Sequence, residues 1–168
     1  YNIRQCKKYG VNIMTGTALT TEKIKEIHPD VLVIATGSTN LTPPIKGLDS
    51  AGVLNPCDVL LGKAVTGHRV LVAGGGLIGA ETADFLAEQG REVTVIEMKP
   101  EIAADLDPYA KPMLLRELKD HDVTLLTNAA IQEFLTDGVT YSDLTEESGT
   151  VRTLKGFDSV VLALGTRN

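Results

Sequence analysis

Three unbroken runs of branched apolar residues stand out along the chain: VLVIA at residues 31–35, RVLVA at 69–73 and SVVLAL at 159–164. Such runs suit strands buried on both faces. EVTVIE, residues 92–97, predicts a further strand. Between RVLVA and EVTVIE the period changes: Ala80, Ala83, Leu86 and Ala87 share one face, and Gly90 closes the pattern, predicting a helix over 77–89. Strand, helix and strand in that order predict parallel pairing with a right-handed crossover. A helix from about Pro108 to Lys119 and a strand at 123–126 extend the doubly wound pattern. Segments 130–135, 138–142 and 150–154 then read as three antiparallel strands, separated by Asp137-Gly138 and the turn EESG.

The first forty residues are less regular. IRQCKKYG reads as the last turns of a helix with Gly10 as its C-terminal stop. VNIM (11–14) and residues 17–19 read as short extended segments around a turn at Gly16, followed by a polar connection. TNLTPPIKGLDSAGVLNP is rich in Pro, Gly, Asn and Ser and places a domain boundary there. Asn55 and Pro56 then suit the cap and first turn of a short helix running to Gly62. VLVIATGS (31–38) and VVLALGTR (160–167) echo each other, each an apolar strand ending in a glycine turn. The start at Tyr1 inside a helix and the end at Asn168 just after a strand suggest a piece cut from a longer protein.

Gly74, Gly76 and Gly79 satisfy GxGxxG between a predicted strand and a predicted helix. There the first glycine allows a tight turn, the second a close approach to a pyrophosphate, and the third close packing of helix on strand. The phosphates would sit at the helix N-terminus. Glu97 lies near the offset of about 20 positions at which a carboxylate accepts hydrogen bonds from the adenosine ribose. A 2′-phosphate would meet a like charge, favouring NAD(H) over NADP(H), although Lys99 could soften the repulsion. The expected fold class is α/β: a Rossmann-like three-layer domain with a parallel sheet and a small antiparallel meander. Other readings stay open. The glycines could form a turn without a ligand, and Glu97 could be a solvated strand end. Glu81 is favourable near a helix N-terminus through the dipole alone, by roughly 0.3 to 1 kcal/mol, but its place also allows a role beside the ligand. A redox-sensing or structural module that binds NADH without hydride transfer would use the same glycines.

Composition narrows the class. With 43% hydrophobic and 23% charged residues the chain can bury a core. A net charge of −6 and a pI near 5.0 argue against nucleic acid as a partner. No apolar run reaches the roughly 20 residues of a membrane span and no signal segment opens the chain, so the expectation is a cytoplasmic protein without a membrane partner. Cys6 and Cys57 are too far apart in sequence to suggest a redox pair or a zinc site. His28, His68 and His121 read as turn residues. No nucleophile, base and acid occur at informative spacing, so no catalytic residue and no metal site is assigned.

On ATGS at 35–38, GGGLIGAETA at 74–83, VTVIE at 93–97 and VVLALGTRN at 160–168, the whole chain resembles the pyridine-nucleotide flavoprotein family, the group of glutathione reductase and NADH oxidase. The resemblance implies a chain that leaves an FAD domain after an ATG turn, forms the NAD(P)H domain, and returns through a second glycine turn. The family's FAD-binding GxGxxG is missing here. It divides the chain into residues 1–42 from the FAD domain, 43–156 as the NAD(H) domain, and 157–168 as the return segment. The stretch from DVLLGKAVTG to EIAADLDP is most similar to old yellow enzyme-like reductases such as 2,4-dienoyl-CoA and enoate reductases. That likeness implies an upstream barrel with FMN and an iron–sulfur cluster. By the same resemblance Gly74, Gly75, Gly76 and Gly79 hold the pyrophosphate, Glu97 the ribose, and Met98 and Lys99 the adenosine. Leu77 and Ile78 flank the nicotinamide, with Glu81 on that side, where family members pair it with a lysine of the FAD domain. Thr36 and Gly37 fall on the flavin side, and Gly165 joins the cofactor-binding positions. The implied role is to position NADH for hydride transfer to FAD and onward electron transfer to an enoyl or enoate-type substrate on other domains. The partners are then NADH and the FAD and barrel domains, with homo-oligomerisation left open, and the chain alone is expected to bind NADH without turnover. Lys46 departs from the family's PxIPG, and GTRN departs from GTRPN.

Overall fold

A computed structural model describes residues 1–50, 52–146 and 150–167, except the side chain of residue 50. They form two compact units, Tyr1–Thr36 and Gly37–Asn168.

In the first unit α1 (Asn2–Lys8) ends as expected. Gly10 takes φ 71°, its amide donates to the Lys7 carbonyl at 3.2 Å, and the Val11 amide donates to Cys6 at 2.9 Å. This pair of bonds satisfies carbonyls that the helix end leaves unpaired. A second helix, α2 (Thr21–Ile27), replaces the expected polar connection. The Thr20 hydroxyl accepts from the Lys23 amide at 3.2 Å, and Glu22 sits in the positive first turn. The strands expected at 11–14, 17–19 and 31–35 do not form. Val31, Val33 and Ile34 are 78%, 81% and 76% exposed. A strand needs a neighbour for its amides and cover for both faces, and a unit of two short helices provides neither.

The second unit has three layers. Four parallel strands run in the order β4 (Thr124–Leu126), β3 (Glu92–Ile96), β2 (Arg69–Ala73), β8 (Ser159–Leu162). On one face lie α3 (Pro56–Leu60), α4 (Leu77–Glu88) and α5 (Lys111–Asp120). On the other lies an antiparallel meander of β5 (Ala129–Leu135), β6 (Gly138–Asp143) and β7 (Val151–Lys155). Alternation along β2 divides the core: Val70 and Val72 join the helix side, while Leu71 and Ala73 join Phe134, Val139 and Tyr141. Val70, Leu71 and Val72 are fully buried, each contributing about 1.5 to 3 kcal/mol. The three-layer α/β expectation holds.

Local chemistry sets the element ends. The Asn55 side chain accepts from the Cys57 amide at 2.8 Å and caps α3. Helix α5 begins at Lys111 rather than near Pro108, because the Asp107 carboxylate takes the Tyr109 amide at 2.9 Å and holds a turn there. Most of the predicted EESG turn, residues 147–149, falls outside the described residues. Two short strands, β1 (Thr39–Asn40) and β9 (Thr166–Arg167), pair antiparallel. They follow the two echoing glycine turns and bring the chain segments after Gly37 and Gly165 together. No helix among the described residues is long and apolar enough to cross a membrane.

The loop before β8 is tied to β2 by Asp158, whose carboxylate accepts from the amides of Arg69 at 2.8 Å and His68 at 2.9 Å. The Arg69 amide bond is the main cause that holds this carboxyl below the usual carboxylate range. A depressed folded-state pKa contributes stability above the ordinary carboxylate range near pH ~4, and that contribution is lost as pH falls through it. Asp158→Asn should therefore narrow the stability difference between pH 7 and pH 3, measured by urea unfolding. An unchanged difference would show that this carboxylate carries no part of the acid sensitivity.

Candidate functional site at the strand ends

The strand order makes β2 and β8 neighbours although the chain passes through β3 and β4 between them. Their carboxyl ends therefore form a switch point, where open α/β sheets leave a crevice. The chain leaves β2 through Gly74, with φ 103°. A Cβ there would strike the Ala163 carbonyl. Gly79, one turn into α4, lies so close to the Gly74 carbonyl oxygen that a side chain would push the helix off the sheet. Gly75 faces the tip of the Ile102 side chain and the Glu97 Cβ, which would have to shift to admit a side chain. The fold itself explains Gly74 and Gly79.

Gly76 differs. Its φ of −67° suits any residue, and an added Cβ would meet only the Asp105 carboxylate oxygens at 3.6 and 3.7 Å, an ordinary contact. It is also the N-cap of α4 and lies beside the helix's first amides, which have no partner within the helix. Bare backbone here leaves the helix end open to a close-lying group.

A cavity of about 490 Å³ opens at this point. Its walls include Gly74, Gly75 and Gly76 from the loop, Glu97, Met98 and Lys99 beyond β3, and Leu164 and Gly165 beyond β8. Leu41, Pro43 and Ile45 enter from the connection after β1, and Ala130 and Ile131 from the meander. The volume suits a small-molecule cofactor site.

Glu97 organises the loop. Its Oε2 accepts from the Gly75 amide at 2.6 Å and its Oε1 from the Lys99 amide at 2.8 Å. A carboxylate has about four acceptor positions, so both oxygens keep capacity for hydroxyl donors. Glu97 is thus neither a free strand end nor fully consumed by the protein.

The other expected residues scatter. Leu77 and Ile78 form the first turn of α4, where the Ile78 carbonyl accepts from the Thr82 hydroxyl at 2.6 Å. Glu81 does not line the glycine-loop cavity; it lies with Asp84, Phe85 and Glu88 along a shallower depression against α5. Thr36 ends the first unit and Gly37 opens the second. Two carboxylates that spacing rules did not single out do line the cavity. Glu101 is held by Lys111 Nζ at 2.7 Å, which lowers its pKa, and Asp105 accepts from the Leu77 amide at 2.9 Å. No fixed offset marks either one, because both arrive through an irregular connection. His68 sits 3.4 Å from Glu92, and His121 Nδ1 sits 3.0 Å from Asp84, consistent with structural turns. Among the described residues no group of three or more His, Cys, Asp or Glu could hold a metal.

A family model described as pyridine nucleotide-disulphide oxidoreductase matches residues 2–168. An NADH oxidase from Thermoanaerobacter brockii is 34% identical over 96% of this chain and 25% of its own length. A cinnamate reductase from Clostridium sporogenes is 34% identical over 95% of this chain and 23% of its own length. A solved structure of a 2-naphthoyl-CoA reductase in complex with 2-naphthoyl-CoA superposes with a TM-score of 0.81 at 37% identity, covering 99% of this chain and 24% of that one. The chain thus spans about a quarter of the length of these relatives.

The glycines separate into two kinds by experiment. Gly74→Ala should lose about 2 to 4 kcal/mol in urea unfolding through backbone strain and the carbonyl collision. Gly76→Ala should lose no more than about 1 kcal/mol, the cost of a poorer N-cap. Equal losses would mean that Gly76 also has a packing role.

Proposed function

Because the chain belongs to the pyridine nucleotide-disulphide oxidoreductase family, we propose that its second unit binds NAD(H) and presents it to a flavin. The family's pyridine nucleotide and FAD chemistry is redox, and the chain's relatives are oxidoreductases. Bound NADH supplies a hydride from C4 of its nicotinamide, and N5 of FAD is the acceptor.

The carrying observation is Gly76, a glycine that the fold does not require, at the start of α4 and next in the chain to Gly75, whose amide is held by Glu97, a carboxylate that retains acceptor capacity. In this reading the amides at the start of α4 receive the pyrophosphate, favoured by the helix dipole. Glu97 accepts from the adenosine ribose hydroxyls while keeping its bonds to the loop, and so selects NAD(H) over NADP(H). Met98 and Lys99 border the adenosine. Gly165 and Leu164 close the β8 side. The chain's contribution to catalysis is orientation, since bringing donor and acceptor to about 3 to 3.5 Å lowers the entropic cost of transfer. No residue of the chain acts as a nucleophile.

The flavin, with Thr36 and Gly37 on its side, would be held largely by segments outside this chain. Electrons would then pass to a conjugated acyl substrate of the enoyl or enoate type, a reading supported by the cinnamate and naphthoyl-CoA reductases. FMN and an iron–sulfur cluster on an upstream barrel complete the proposed route. Glu81, on the flank of α4, is assigned to the nicotinamide side, where it would pair with a lysine of the FAD domain.

Fluorescence titration with NADH and NADPH tests the assignment. Glu97→Arg should weaken NADH by roughly tenfold or more, the scale of a lost charged hydrogen bond, and improve NADPH. Gly76→Ala should weaken both nucleotides. Unchanged NADH affinity in Glu97→Arg would remove the ribose role, and tightly bound stoichiometric flavin in the purified chain would contradict placing the flavin elsewhere.

A further inference from the structure

One carboxylate at the glycine loop lies where a dinucleotide's negative charge would bind. Between β3 and α5 the chain folds back onto the loop through several contacts. Ile102, buried, packs over Gly75. The Ala103 amide donates to the Gly75 carbonyl at 2.7 Å, from a fully buried residue with φ 48°. Asp105 Oδ1 then accepts from the Leu77 amide at 2.9 Å. The ion pair of Glu101 with Lys111 ties the same segment to the start of α5.

A left-handed backbone at alanine costs free energy and persists only where its surroundings hold it. Here they deliver a negative charge to the first amide of α4. That amide has no partner within the helix, and the helix end carries partial positive charge. Both Asp105 oxygens also come within 3.7 Å of the position a Gly76 Cβ would take. A pyrophosphate seated on this helix end would meet a like charge and compete for the same donor.

We propose that Asp105 is an internal anion that occupies the α4 N-terminus until the pyrophosphate of a dinucleotide displaces it, so that Asp105 sets the affinity of the site. The inference rests on the NAD(H) reading above. In the absence of nucleotide the carboxylate caps α4 and satisfies the Leu77 amide. Binding must move it, and the apparent affinity falls by the fraction of molecules in which it has moved. The effect is confined to ligands that carry the pyrophosphate.

Isothermal titration of the wild-type chain, Asp105→Asn and Asp105→Ser with NADH, ADP-ribose and adenosine tests this. Both substitutions remove the charge and keep a side-chain oxygen for the Leu77 amide; a thermal melt of each variant confirms folding. NADH and ADP-ribose should bind roughly threefold or more tightly to either folded variant at low salt, with the gain shrinking as salt rises and adenosine unchanged. Unchanged or weaker NADH binding in a folded variant, or an equal gain for adenosine, would overturn the proposal while leaving the NAD(H) site intact. A wild-type chain that binds neither NADH nor ADP-ribose would overturn the site reading and this proposal together.

Discussion

The second unit is organised around a contact made possible by a missing side chain. Gly79 lets α4 rest against the Gly74 carbonyl at the end of β2, closer than any residue with a Cβ could approach. That approach fixes where the helix begins relative to the sheet. Because β8 runs beside β2, the Ala163 carbonyl presses on Gly74 from the other side. The turn leaves β2 with Gly74 at φ 103°, a backbone that residues with a side chain rarely adopt. The first amides of α4 are thereby placed at the switch point of the sheet, where a crevice exists for topological reasons.

The contacts of Glu97 and the 98–110 segment follow from this placement. The loop amides need acceptors, and the end of β3 brings Glu97 to the Gly75 amide. The segment after it returns Ile102, Ala103 and Asp105 to the same loop. Glu97, Glu101 and Asp105 share the cavity wall with Lys99, so carboxylates outnumber cations there. A site that binds a dianionic pyrophosphate amid such charge depends on backbone amides and the helix end for its attraction. In the proposed reading, a ligand without an additional phosphate on its ribose suits this charge better.

What could be read in the sequence was local. RVLVA, the glycines after it and EVTVIE carry their own periods and turn chemistry, and they form the parallel unit as read. Gly10 closed α1 and Asn55 capped α3 for the same reason. VLVIA, at 31–35, shows the limit: its apolar run suits a buried strand, but burial is a property of neighbours, and the first unit provides no sheet. The α2 helix was hidden because its signal is a threonine cap followed by good helix formers, without an apolar stripe. Of the site, Gly74, Gly75, Gly76, Glu97, Met98, Lys99 and Gly165 come together, since each lies at a strand end or its turn. The direction of Glu81 depends on how α4 is rotated against α5. The positions of Glu101 and Asp105 depend on an irregular segment folding back, for which no spacing rule exists.

The central claim is that the α4 N-terminus and the end of β3 form one dinucleotide site. Mapping amide chemical-shift changes of the isotopically labelled chain on addition of NADH tests it most directly. The account predicts changes concentrated at residues 74–79, 97–99 and 163–165. Changes centred instead on the depression between α4 and α5, or none at saturating NADH, would contradict it.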